Sequence, residues 1–173
     1  MQVRQNIIEQ LTPLYGNREA LLIADMLLEK ILDLPKRALL NPNIADLTPE
    51  NQIALKAMLS QLMRHRPIQY VLGEAWFQNM QFYVDERVLI PRPETEELVE
   101  LVLKMLPADV YLKVLDVGTG SGCIPIALKK NLPETDLSAI EFCSEAIHTA
   151  ISFGSYLSGL PGQKAVQPPG CKL

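Results

Sequence analysis

The spacing of apolar residues predicts helices over the first third of the chain. Apolar positions recur there every three or four residues, as on one face of a helix. Asn17 is suited to cap a second helix, and Pro35 is expected to end it. Thr48 followed by Pro49 predicts a further helix start, because a hydroxyl caps a helix and proline is tolerated at its first position. The pattern predicts that residues 1–65 are helical.

From Pro67 onwards the pattern changes from helical spacing to alternation. Residues 76–84 are rich in aromatic side chains and alternate roughly between apolar and polar positions. This pattern is typical of a small β-hairpin, with a turn expected at Asn79 and Met80. We therefore expect a small β-hairpin over residues 76–84.

A βαβ unit is predicted further along the chain. Two prolines keep the backbone extended up to Pro93, and a helix with acidic residues in its first turn is expected after it. A strand over about 111–117, a helix over about 122–131 and a strand over about 136–141 follow. Such a unit has a right-handed crossover, which predicts an α/β fold with a parallel sheet. Beyond Leu160 the pattern predicts no strong element.

Three glycines follow the first strand of this unit. Val114–Val117 is a short apolar run interrupted by Asp116, and Gly118, Gly120 and Gly122 occupy every second position after it. The run is typical of a buried parallel strand. Glycine adopts positive φ and has no Cβ, so a ligand can approach the backbone closely. A strand, a glycine turn and a helix start together indicate a site for a nucleotide-type cofactor.

The details of this turn favour S-adenosylmethionine (SAM) over a dinucleotide. The dinucleotide fingerprint is G-x-G-x-x-G, whereas here Cys123 occupies the position of the third glycine. The carboxylate of Asp116 would repel a phosphate, but it suits SAM, which carries an ammonium and a sulfonium. Glu141, about 19 residues after Gly122, is placed for ribose hydroxyls. A glycine turn in an unrelated α/β protein remains the alternative.

Composition excludes several other classes. The chain has 173 residues, 48% of them hydrophobic, and a net charge of −4 without a stripe of Lys and Arg, so no direct nucleic-acid interface is expected. No apolar run is long enough for a membrane span, and no signal peptide is expected. Cys123, Cys143 and Cys171 form no C-x-x-C pair, and the two histidines join no cluster. We therefore expect no metal site and no disulfide, but reduced cytoplasmic thiols.

Several stretches together resemble one family. They are residues 66–73, the aromatic hairpin, Leu89–Glu96 with its I-P-R-P-E-T-E run, Leu115–Gly122, and Glu141–Ile147. On these stretches the chain resembles the HemK/PrmC-type protein-(glutamine-N5) methyltransferases, which methylate the Gly-Gly-Gln glutamine of peptide chain release factors. The similarity covers roughly residues 1–150.

The resemblance implies a domain organisation. Residues 1–66 would recognise the release factor, residues 67–90 would be the hairpin link, and residues 91–173 would form an incomplete, Rossmann-like SAM-dependent methyltransferase domain. It also implies a cytoplasmic protein, a monomer, whose partners are release factors rather than nucleic acid or membrane.

The resemblance further implies which residues bind the cofactor. The glycine turn would pack against the methionine part of SAM, Thr95 would approach the cofactor, and Glu141 would take the ribose hydroxyls, although the family usually has Asp there. The candidate cofactor-binding residues are Asp116, Gly118, Thr119, Gly120, Ser121, Gly122, Glu141 and Thr95.

The catalytic motif of that family, Asn-Pro-Pro-Tyr, is missing from this sequence. Gln167–Gly170 is the nearest string, but it follows Glu141 by only about 26 residues and lacks the aromatic residue, so we interpret it as a chance likeness. The tail over 151–173 contains no Asp or Glu and is atypical. We assign no catalytic residue and expect little or no transferase activity.

Two strands alone would leave an open edge and an uncovered apolar face in the sheet. Three functions stay open: a release factor methyltransferase represented by part of its sequence, a non-catalytic module that binds release factors, and a SAM-dependent methyltransferase for another substrate.

Overall fold

The structure is a computed structural model that describes residues 2–34, 47–106 and 111–146, and the backbone of 164–166. Contacts within the chain divide it into two compact units, Met1–Leu72 and Gly73–Leu173. The first contains α1 (Gln2–Leu32), α2 (Pro49–Leu62) and α3 (Ile68–Leu72). The second contains β1 (Glu74–Phe77), β2 (Met80–Tyr83), α4 (Pro93–Met105), β3 (Lys113–Val117), α5 (Cys123–Asn131), β4 (Asp136–Ile140) and β5 (Lys164–Val166).

Helix α1 consists of two helical halves that meet at Gly16. This glycine has φ 74° and ψ 163°, which interrupts the helical geometry. Arg4 Nε nevertheless lies 2.6 Å from Asp25 Oδ1. A straight helix rises about 1.5 Å per residue, so it would hold these two residues roughly 30 Å apart. The chain therefore reverses at Gly16, and the predicted second helix after Asn17 is confirmed.

The two halves of α1 and helix α2 enclose the core of the first unit. Ile7, Leu11, Leu27 and Leu62 are almost completely buried there. Burying a side chain of this size contributes about 1.5–3 kcal/mol. The predicted start of α2 is confirmed, because Thr48 Oγ1 accepts the backbone N–H of Asn51 at 3.2 Å.

The short helix α3 was not expected from the pattern. Its residues Ile68 and Val71 are β-branched and favour strands in isolation. The carbonyl of Pro67 accepts the backbone N–H groups of Tyr70 and Val71, which closes the first turn. The packing of Leu72 into the core of the first unit then outweighs the local preference.

The predicted hairpin is confirmed, but its turn lies one residue earlier than expected. Gln78 and Asn79 form the turn, with φ 48° and 56°, and Phe77 pairs with Met80. This register buries Met80 and Phe82. A turn at Asn79 and Met80 would reverse the inward and outward faces of β2, so burial of these apolar side chains fixes the register.

Strands β3 and β4 and helix α5 form the expected parallel βαβ unit. Leu115 pairs with Ser138 in register, and the observed bounds lie within two residues of the predicted ones. Strand β5 adds a third parallel strand beside β4, in the order β3-β4-β5. The expectation of no element beyond Leu160 is therefore wrong at 164–166. A three-residue strand between Gly162 and Pro168 gives no local signal and depends on pairing with β4.

The expected burial of β3 is wrong on one of its faces. Leu115 is 57% exposed and Val117 is 62% exposed. Val114, which lies on the opposite face of β3, is half-buried. Parallel strands bury both faces only when helices cover both sides of the sheet. The described residues leave one side uncovered, which confirms the expected exposed apolar face. The fold is thus a helical unit followed by a hairpin and a partial Rossmann-like α/β layer.

A buried lysine organises the connection between α5 and β4. Lys129 is 5% exposed, and its Nζ donates to the carbonyls of Pro133 at 2.8 Å and Thr135 at 2.7 Å. The next residue, Asp136, donates its backbone N–H to the carbonyl of Leu112 at 2.8 Å, where β4 begins to pair with β3.

Some sequence-based interpretations fall outside the described residues. These are the role of Pro35, the helical spacing towards Leu160, Cys171 and the Gln167–Gly170 string. Of the helices that are described, none combines the length and hydropathy that a membrane crossing requires.

Candidate cofactor site

The turn between β3 and α5 has the backbone geometry expected of a close ligand approach. Gly118, Gly120 and Gly122 have φ values of 78°, 54° and 76°. Side chains with a Cβ rarely adopt this region, which explains why glycine occupies all three positions. A Cβ added at Gly118 or Gly120 would have no heavy atom of the described structure within 4 Å. The turn therefore faces open space that a ligand can fill.

Three backbone N–H groups at the start of this turn already donate within the protein. The N–H groups of Gly118 and Thr119 donate to the carbonyl of Ile140 at 2.7 Å and 3.2 Å. The N–H of Gly120 donates to Glu141 Oε2 at 2.8 Å. A phosphate-binding turn directs free N–H groups at its ligand. These three donors are engaged, so the turn suits a ligand without phosphate better.

Two buried oxygens beside the turn have no hydrogen-bond partner among the described residues. They are Asp116 Oδ2, at the end of β3, and Thr119 Oγ1, within the turn. An unpaired buried polar group costs about 1–3 kcal/mol, so such atoms mark places where a ligand can donate a hydrogen bond. A carboxylate oxygen in this setting favours a cationic donor.

Glu141 lies against the turn instead of pointing away from it. Its Oε1 accepts the N–H groups of Phe142 at 2.8 Å and Cys143 at 3.0 Å, while its Oε2 accepts that of Gly120. Burial alone raises the pKa of this carboxyl, but the three hydrogen bonds outweigh it and hold the pKa below its usual value. The group is therefore an anion at neutral pH.

The start of α5 places Ser121 and Cys123 inside the protein. Ser121 is 4% exposed and Cys123 is 7% exposed. Burial raises the pKa of the Cys123 thiol, the negative charge of Asp116 raises it further, and the hydrogen bond with Ser121 lowers it only in part. The thiol is protonated at neutral pH, so it lacks the thiolate character of a nucleophile.

Thr95 lies in the first turn of α4 and is half-buried. Its backbone N–H donates to the carbonyl of Arg92 at 3.0 Å, which helps to begin the helix after Pro93. The carbonyl of the next residue, Glu96, accepts Nε2 of Gln78 at 3.2 Å and so ties the hairpin turn to α4. The role of Thr95 beside a cofactor stays a prediction.

The structure thus brings together Asp116, the turn over 118–122 and Glu141. Sequence reasoning missed the bond between Gly120 and Glu141 and the part played by the Ile140 carbonyl. Backbone acceptors leave no residue-type signal, and the spacing of Glu141 gave no sign that its side chain turns back. Within the described ranges, no group of three or more His, Cys, Asp or Glu residues could hold a metal ion.

A solved methyltransferase structure aligns with part of this chain. A solved SAM-dependent methyltransferase from Aquifex aeolicus aligns with 47% of this chain and 45% of its own, at 29% identity and a TM-score of 0.37. The parallel βαβ unit and its glycine turn, as described above, define the second unit as a Rossmann-like α/β layer of the cofactor-binding type.

The amino-acid sequence is similar to one particular group of methyltransferases. Residues 2–73 match the model of the PrmC N-terminal domain. The release factor glutamine methyltransferase of Flavobacterium psychrophilum is 51% identical over 98 residues, which cover 55% of this chain and 34% of the relative. That of Chlorobaculum tepidum is 40% identical over 137 residues, covering 76% of this chain and 47% of the relative. The chain is therefore similar in sequence to these release factor glutamine methyltransferases, and it spans about a third to a half of their length.

Proposed function

We propose that this chain carries the cofactor-binding half of a SAM-dependent methyltransferase that acts on the glutamine of the Gly-Gly-Gln motif in release factors. The observation that carries the proposal is the unpaired, buried Oδ2 of Asp116 beside an open glycine turn. The names of the curated relatives supply the reaction and the substrate. The domain assignment 1–66, 67–90 and 91–173, the cytoplasmic location and the monomeric state belong to the same proposal.

The residues of the turn fit SAM by their chemistry. Asp116 offers a negative charge to a cationic ligand, and the Thr119 hydroxyl offers a further unpaired oxygen. Gly118 and Gly120 leave room for the ligand to lie against the backbone. Glu141 is ionised and stays able to accept a ribose hydroxyl, and Ser121, Gly122 and Thr95 complete the proposed set. When bound, SAM would supply an electrophilic methyl group.

The amide nitrogen of glutamine is a weak nucleophile, because its lone pair is delocalised into the carbonyl. In the family that this chain resembles, an Asn-Pro-Pro-Tyr motif accepts the amide hydrogens and aims the nitrogen. Catalysis then consists of positioning and electrostatics. The present sequence has no such motif, so its own residues bind and orient the cofactor but do not hold the amide. We therefore expect negligible methyl transfer by this chain alone.

Binding of S-adenosylhomocysteine, measured by isothermal titration calorimetry on the full chain, tests the proposed site. Asp116→Ala removes the charge that faces the ligand, and Gly120→Val places a branched side chain in its space. Each variant should weaken binding at least about tenfold, Asp116→Ala because one charge-assisted contact is lost and Gly120→Val because the side chain excludes the ligand. Glu134→Ala, in the exposed turn before β4, is the control and should bind like the wild type. An unchanged dissociation constant in Asp116→Ala would contradict the proposal.

A second candidate function is binding of a release factor without chemistry. It is supported by the match of residues 2–73 to the PrmC N-terminal domain. Binding of S-adenosylhomocysteine and retention of a release factor, measured on the same chain, distinguish the two. Retention of the release factor without binding of S-adenosylhomocysteine would favour the binding module, whereas many turnovers with methyl-labelled SAM would show that the missing motif is not required. The acidic net charge of −4 disfavours a nucleic-acid substrate.

A further inference from the structure

The carboxylate of Glu141 joins two segments that are far apart in sequence. Gly120 belongs to the turn after β3, whereas Phe142 and Cys143 follow β4, and all three donate backbone N–H groups to this one side chain. The bonds are 2.8–3.0 Å long, as expected for good hydrogen bonds to an anion. The glycine turn is thereby fastened to the end of the neighbouring strand.

The capacity of the carboxylate limits what else it can bind. A carboxylate has about four acceptor positions, two on each oxygen. Oε1 already accepts two N–H groups, and Oε2 accepts one. A single acceptor position is left, on Oε2. A ribose diol that used both oxygens of Glu141 would have to displace the bonds that hold the turn.

We propose that Glu141 is a positioning residue that holds the glycine turn at Gly120 and contributes only one acceptor, on Oε2, to a bound ribose. The ribose part rests on the proposed function, whereas the positioning part does not. The length of the side chain matters, because an aspartate at this position is one methylene shorter. It would keep the local bonds to Phe142 and Cys143, as in an Asx turn, but would lose the bond to Gly120.

Amide hydrogen exchange of the ligand-free full chain, followed by NMR, tests the positioning role. In Glu141→Asp the amide of Gly120 should exchange at least about tenfold faster, while those of Phe142 and Cys143 change less. In Glu141→Gln the side-chain amide leaves one of the two sets of N–H groups without an acceptor. Glu134→Gln is the matched control and should leave Gly120 unchanged. Wild-type exchange at Gly120 in Glu141→Asp would overturn the positioning role.

Titration with S-adenosylhomocysteine and its 2′-deoxy and 3′-deoxy analogues tests the single acceptor. In the wild type, loss of one particular hydroxyl should weaken binding about tenfold more than it does in Glu141→Gln. Loss of the other should weaken binding equally in both proteins. If both hydroxyls depend on Glu141, the single acceptor is wrong. If wild-type chain does not bind S-adenosylhomocysteine, the proposed function and the ribose part both fail, and the exchange of Gly120 alone decides the positioning role.

Discussion

The side chain of Arg4 reaches across the reversal at Gly16 and binds Asp25, a carboxylate that is only 3% exposed. The hydrogen bond to Asp25 raises the pKa of the Arg4 guanidinium, in spite of the opposing effect of burial. The pair lies between the two halves of α1 and joins them where the chain has doubled back. The ion pair therefore holds together the same two helical halves that pack through the apolar core around Leu11 and Leu27.

Replacing Arg4 by Ala should lower the free energy of unfolding by about 1–3 kcal/mol, because it deprives a buried carboxylate of a charged donor. Urea unfolding followed by circular dichroism measures the loss. Arg18→Ala, an exposed arginine of the same helix, is the control and should change stability by less than about 0.5 kcal/mol. Equal effects of the two substitutions would show that the pair with Asp25 does not stabilise the unit.

The loop after β2 should contribute an acid-sensitive part of the stability. Asp85 accepts hydrogen bonds from the Arg87 guanidinium, whose Nε lies 2.9 Å from both carboxylate oxygens and whose Nη2 lies 2.5 Å from Oδ2. Oδ2 of Asp85 also accepts a hydrogen bond from Tyr83 Oη at 3.0 Å. The hydrogen bonds of Arg87 above all lower the pKa of Asp85 to about 2, against an ordinary value of 3.8. A lowered pKa stabilises the folded state above the ordinary value, and this contribution is lost as the pH falls from 3.8 through about 2.

Melting temperatures between pH 6 and pH 2 test this dependence. Asp85→Asn should lower the melting temperature at pH 6 and should flatten its decrease below pH 4 relative to the wild type. Asp33→Asn is the matched control, since Asn tolerates the positive φ of 50° at that position. A parallel decrease in Asp85→Asn and wild type would contradict the assignment to Asp85.

The two described cysteines should differ strongly in reactivity. Cys143 is exposed, whereas Cys123 is buried and its thiol pKa is raised by that burial. Iodoacetamide at pH 7.5 should therefore modify Cys143 and leave Cys123 unmodified until the chain unfolds. Peptide mapping by mass spectrometry identifies the modified residue, with urea-unfolded protein as the control. Modification of native Cys123 at the rate of Cys143 would contradict the burial of the start of α5.

Substitutions of a buried and of an exposed apolar residue in the second unit should lower the free energy of unfolding by very different amounts. Phe77 and Phe82 are completely buried and meet edge to face, with ring centroids 6.1 Å apart. Phe77→Ala should lower the free energy of unfolding by about 3–5 kcal/mol. Leu115→Ala removes an exposed side chain and should cost less than about 1 kcal/mol. Chemical denaturation of both variants tests this, and a large loss in Leu115→Ala would mean that the outer face of β3 is covered.

Local pattern was sufficient to predict the elements whose signals lie within their own residues. Thr48 and Pro49 predict the start of α2, and the glycine turn predicts the end of β3 and the start of α5. The predicted hairpin turn lies one residue too late, because glutamine has no sequence preference for the left-handed conformation that Gln78 adopts. Burial of Met80 determines the register instead. Strand β5 was missed, since three residues become a strand only through pairing with β4.

The candidate site could be predicted in its residues but not in its connections. The charge of Asp116 and the positive φ of Gly118 and Gly120 follow from residue type and spacing. The hydrogen bond from Gly120 to Glu141 depends on how the ends of β3 and β4 are aligned in the sheet. Spacing along the sequence does not encode this alignment. Helix α3 is missing from the prediction for a similar reason, because packing in the first unit overrides its β-branched residues.

The two carbonyls that Lys129 holds have a consequence for any insertion or deletion in the loop they belong to. The carbonyls of Pro133 and Thr135 are bound to Lys129 near the end of α5. The length of the loop therefore determines where β4 begins relative to α5. Removing one residue, such as Glu134, would slide β4 by one position and turn each of its side chains to the opposite face of the sheet. Lys129 therefore ties the loop before β4 to helix α5, and with it the start of the strand that precedes Glu141.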